Sequence, residues 1–97
     1  MTVPAHPAPP DLERIVPELC RRLRRIAGQA QGIERMLLTQ RECSEIVTQV
    51  AALKAAVEQV GISLVSCLLE DAIREALKDG RDSSAAVEQA RDLLRRI

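Results

Sequence analysis

Three cysteines, one histidine and a run of arginines are the side chains of this 97-residue chain whose chemistry stands out. Cys20, Cys43 and Cys67 are odd in number and widely spaced, which fits reduced thiols better than a disulfide framework. Such thiols can hold soft metal ions or react with electrophiles, reactive sulfur and oxidants. His6, the only histidine, lies between Pro4 and Pro7 and makes a poor site residue. No histidine, serine or carboxylate constellation accompanies the cysteines, so the pattern argues against an enzyme. Arg21, Arg22, Arg24 and Arg25 carry the second chemistry. Guanidinium forks suit phosphate oxygens and guanine edges, and Arg14 joins their stripe if one helix reaches that far.

The charge pattern supports a face directed at nucleic acid. Fourteen basic and fourteen acidic residues cancel overall, which excludes a nonspecific polycation. Residues 11–41 nevertheless hold seven basic and four acidic side chains, and residues 42–97 hold seven and ten. One surface could therefore meet phosphate while the rest stays acidic. Residues 1–10, with four prolines and no lysine or arginine, read as a disordered N-terminal tail and not as a signal peptide. No uninterrupted 18-residue apolar run is present, so no membrane span is expected. Reduced thiols point to the cytoplasm.

The elements that must position these residues read as all-α. Apolar Leu19, Leu23, Ile26, Ala30, Ile33 and Leu37 recur at three and four residues and predict a helix from about Pro17 to about Thr39. Gly28 and Gly32 share a face of it, which suggests close packing of another helix. Residues 39–43 form a turn between antiparallel helices. Ile46, Val50, Leu53, Val57, Val60, Leu64 and Cys67 form an unbroken seam on a second helix that runs to Lys78 and stops at Asp79-Gly80. Asp82-Ser83-Ser84 caps a third helix carrying Val87, Ala90, Leu93, Leu94 and Ile97. The chain has no Phe, Tyr or Trp, so one protomer cannot close a core over this seam. Residues 11–97 are therefore expected to be one three-helix domain that pairs into an antiparallel four-helix-bundle dimer, then a dimer of dimers.

Several linked segments resemble the copper-sensitive operon repressor family, whose members sense copper, nickel or cobalt, formaldehyde and persulfide. Arg22-Leu23-Arg24-Arg25-Ile26-Ala27-Gly28-Gln29 is similar to its RLRRIEGQ segment. Gly32-Ile33-Glu34-Arg35-Met36-Leu37 follows in register, as do Cys43 and Ile46-Val47-Thr48-Gln49-Val50-Ala51-Ala52-Leu53. The resemblance spans roughly residues 19–96. It implies a homodimeric or homotetrameric repressor that binds operator DNA through basic residues of the first two helices and releases it when an effector binds.

By the same resemblance, three positions hold Cu(I) in copper-sensing members, and here they carry Cys43, Leu68 and Ala72. Leucine and alanine cannot ligate a metal, so an ordinary copper or nickel site is not expected. Persulfide sensors need cysteines at the first and third positions, and Ala72 removes that pair. The family's DNA arginine falls on Arg22, its second basic position on Gln59 with Lys54 nearby, and the glutamate that relays effector binding on Glu88. Cys43 sits at a helix N-terminus, where the dipole favours a thiolate, and is expected to be the reactive effector thiol. Cys67 lies in the apolar seam, one residue from the second ligand position, and reads mainly as core. Cys20 reads as a bystander. The resulting expectation is a repressor switched by thiol chemistry at Cys43, with no cofactor required for folding. Two alternatives remain: Cu(I) held by Cys43 and Cys67, and a helical metal or thiol buffer that never touches DNA.

Overall fold

A computed structural model describes residues 10–97, so His6 and nearly all of the expected tail lie outside the described residues. The described residues form three helices and no strand: α1 (Pro10–Leu38), α2 (Cys43–Lys78) and α3 (Ser84–Arg95). Both α1 and α3 pack on α2 and not on each other. The 36 residues of α2 make a rod of about 54 Å, which accounts for most of the molecule's 59 Å long axis.

The start of α1 differs from expectation. Pro10, not Pro17, occupies the first turn, and Pro17 lies inside the helix. An interior proline removes the bond its nitrogen would donate to the carbonyl four residues back, here that of Glu13. Packing overrides that cost, because Leu12, Ile15 and Leu19 continue the apolar stripe through the proline and turn at least half their surface inward. Pro17 itself is exposed, which leaves the orphaned carbonyl open to water.

Two turns set the hairpins. After α1, the amide of Arg41 donates to the Met36 carbonyl (3.0 Å) and that of Gln40 to Leu37 (3.2 Å). This left-handed cap requires positive φ, and Gln40 adopts 56°. After α2, Gly80 at φ 67° plays the same part, with the Arg81 amide on Ala76 at 2.7 Å. The expected stop at Asp79-Gly80 is where α2 ends. At α3 it is Asp82, and not the N-cap Ser83, whose side chain holds the turn.

Few side chains are buried: Leu19, Val60, Cys67, Ala76 and Ala90. Three of the seven seam residues of α2, Val50, Val57 and Leu64, are exposed. Gly28 meets nothing within 4 Å and Gly32 only the tip of Arg35, so the close helix approach expected there does not occur within the protomer. The close contact at a glycine is at Gly61 instead, where an added Cβ would stand 2.9 Å from Cδ1 of Ile97, beyond the end of α3. By length and composition α2 also contains a window apolar enough to cross a bilayer, at mean hydropathy 1.5. A core helix without a membrane span passes the same test, so this window does not overturn the expectation that no segment spans a membrane.

Candidate functional site

Because α1 is continuous from Pro10, Arg14, Arg21 and Arg25 fall on one stripe. Arg21, Arg24 and Arg25 are exposed, with no ion pair among the described residues. Arg22 is half-buried and its Nη2 donates to Glu18 Oε1 at 2.9 Å. A cleft of about 440 Å³ between α1 and α2 is lined by Arg22, Arg25, Ile26, Gln29, Ala56 and Gln59. The structure thus brings together Arg22, Arg25 and Gln59, which are far apart in sequence. Lys54 is exposed but lies outside this cleft. Gln29 was missed by the sequence reading, although its spacing of four from Arg25 and seven from Arg22 places it on their face. Two guanidinium groups and two carboxamides can together contact phosphate and base edges.

The thiols are set apart. Cys43 is the first residue of α2 and is exposed, after an extended Glu42 with no side-chain cap. Arg41 forks onto Glu45 across this turn, Nη2 at 2.6 Å and Nε at 2.9 Å from Oε2. That engages the cation nearest the thiol. Cys67 is 7% exposed and shares a cleft of about 240 Å³ with Arg14, Ile15, Ile62, Ser63, Ser66 and Glu70. Twenty-four residues of helix separate the two sulfurs by about 36 Å along the axis and about 120° around it. One protomer therefore does not bring Cys43 and Cys67 together. Steps of 25 and 29 residues, by contrast, return Leu68 and Ala72 to within about 20° of the Cys43 line.

Around that line apolar and charged side chains mix. Leu68 borders a cleft of about 300 Å³ with Gly61, Leu64, Val65, Leu93, Arg96 and Ile97. Ala72 borders another, beside Glu75, Ala76 and the Arg81–Ser83 turn. Among the described residues no three His, Cys, Asp or Glu side chains converge. Cys20 is exposed on α1. Glu88, exposed on α3, accepts from Arg91 at 3.2 Å.

Residues 16–96 match the family model of the metal-sensitive transcriptional repressors. The chain is 30% identical over 80 residues to the copper-sensing transcriptional repressor CsoR of Bacillus subtilis, covering 82% of this chain and 78% of that protein. It is 33% identical over 60 residues to the copper-sensing transcriptional repressor RicR of Mycobacterium tuberculosis, covering 62% of each. Identity to the Bacillus subtilis protein YrkD is 41% over 54 residues, 56% of this chain and 86% of that protein. No solved structure matches. With a family match over residues 16–96, nearly all of the described helices, and 30% identity to a copper-sensing repressor over 80 residues, the chain belongs to the metal-sensitive transcriptional repressor family.

Proposed function

We propose that the protein is a cytoplasmic repressor that binds operator DNA through the α1–α2 cleft and is released by thiol chemistry at Cys43. The observation that carries this reading is the Cys43 line. The thiol is open at a helix N-terminus, and the family resemblance puts Leu68 and Ala72 at the other two ligand positions. A site with one sulfur donor favours covalent chemistry at sulfur over ligation of Ni(II), Co(II) or Zn(II), which want three or more donors. Arg22, Arg25 and Gln59 supply the DNA contact, with Arg21 and Arg24 on the flanks and Lys54 further along α2. Glu88 on α3 is the proposed relay from effector to DNA face. The same assembly, a homodimer or a dimer of dimers, would bury the exposed residues of the α2 seam.

The copper-sensing names of two relatives favour a second reading, in which Cu(I) is the effector. Here it would use Cys43 and Cys67 of different chains, yet Cys67 faces the protomer's own α1. Operator release by copper, sulfane sulfur and an aldehyde, measured on Cys43→Ser and Cys67→Ala, separates the readings. The thiol switch expects Cys43→Ser to repress without responding and Cys67→Ala to respond normally. Loss of response in both variants, with copper bound to the wild type, would establish the copper reading. An intact response in Cys43→Ser would defeat both.

A further inference from the structure

Beyond the cleft, α1 carries one more basic side chain that faces solvent. Arg35 is exposed and forms no ion pair among the described residues. It follows Arg24 by eleven residues and Arg21 by fourteen. On a helix that is continuous from Pro10 to Leu38, those steps return to within about 20° and about 40° of one line. Gly28 lies between them near that line, and a Cβ added there would meet nothing within 4 Å. The Arg35 side chain leans back along the helix, as long helical side chains do, and its Nη2 lies 3.8 Å from where a Cβ on Gly32 would stand. The charge therefore sits at about the level of Gly32, about 12 Å along the axis from the Arg24 Cα. From Cys20 to Leu38 the one acidic residue is Glu34, about 100° around the helix from Arg35.

We propose that Arg35 is a further DNA contact, which holds a phosphate on the opposite side of the groove from the one met by Arg24 and Arg25. This rests on the reading of the α1–α2 cleft as the DNA face and extends that face along α1. The major groove is about 12 Å wide, which matches the spacing of the two charges. Duplex DNA carries one negative charge per about 1.7 Å of its axis, so an open guanidinium beside it displaces a condensed counterion. Arg35 also lies in the last turn of α1, where a cation suits the helix dipole. A charge that served the dipole alone would leave the salt dependence of DNA binding unchanged.

The test measures binding of the full chain to a fluorescent mixed-sequence duplex over a salt series, since phosphate contacts alone hold such a duplex at low salt. Arg35→Ala is expected to weaken binding several-fold and to lower the slope of log affinity against log salt by about 0.9. Arg35→Lys should restore the slope. Gly28→Glu, which sets a carboxylate near the same line, is expected to weaken binding about tenfold. Arg22→Ala marks the cleft in the same assay. Unchanged affinity and slope in Arg35→Ala, with weakened binding in Arg22→Ala, would overturn this contact and leave the cleft standing. Indifference to both substitutions, or a wild-type chain that ignores the duplex, would defeat the cleft reading and the contact together. Sedimentation of each variant completes the test: an assembly lost in Arg35→Ala or Gly28→Glu would make this face a contact between copies and overturn the proposal.

Discussion

Arg22 shows how one side chain serves both the helix and the proposed DNA contact. Its bond to Glu18 is an exposed i, i+4 pair worth about 0.3–0.5 kcal/mol, little enough to yield to a phosphate or a base. Arg22→Ala should therefore leave stability nearly unchanged and weaken operator binding by about 1–3 kcal/mol. Binding assays across a salt series check this, and a flatter salt slope with equal loss on all sequences would assign Arg22 to phosphate. Asp82 carries the acid dependence. The Ser84 hydroxyl at 2.7 Å, then the Ser84 amide at 3.2 Å, hold its carboxyl below its ordinary value of 3.8. A carboxyl depressed in the fold contributes stability that is complete above the unfolded value and lost as pH falls through the folded one. Helicity followed by circular dichroism should accordingly lose an α3 component below about pH 4, and Asp82→Ala should lack that step.

Among the elements, the cap of α1 is the least economical. Gln40 holds φ at 56°, a conformation that costs a side-chain-bearing residue roughly 1 kcal/mol and costs glycine almost nothing. The equivalent position after α2 is already Gly80. Gln40→Gly is expected to stabilise the protein by about 0.5–1 kcal/mol. In urea unfolding this appears as a higher midpoint with an unchanged slope; a lower midpoint would mean that the Gln40 side chain holds the turn. The amphipathic elements also explain where the buried glycine contact arises. Gly61 admits Ile97 from beyond the end of α3, so the terminal residue packs on α2 although it belongs to no helix.

At the scale of the molecule, the α2 seam has two partners to find and one protomer offers only part of them. Val60 and Cys67 are buried, yet Val47, Val50, Val57, Leu64 and Leu68 remain exposed along the same helix. An apolar strip of that length on a chain without aromatic side chains is the reason to expect self-association. Val57→Asp places a charge near the middle of the strip and should disrupt the assembly, together with operator binding. Sedimentation equilibrium decides the matter: a wild-type chain that stays monomeric and folded at micromolar concentration would remove the basis for the oligomer.

Local pattern alone determined the helical class, the end of α2 before Asp79-Gly80 and the turn before Cys43, since periodicity and caps are properties of neighbouring residues; the family came from the resemblance of linked segments in one register. It did not determine the start of α1. Propensity places a break at Pro17, and only the packing of Leu12, Ile15 and Leu19 on α2 carries the helix through it. Nor could it bring Gln29 and Gln59 to one cleft, or show that Gly28 faces open space while Gly32 meets only the tip of Arg35, because those relations depend on how α1 crosses α2. The cysteines make the same division most plainly. Sequence separates Cys43 from Cys67 by 24 positions, but only the fold decides that one thiol opens to solvent while the other is buried, because burial depends on which neighbour a helix face finds.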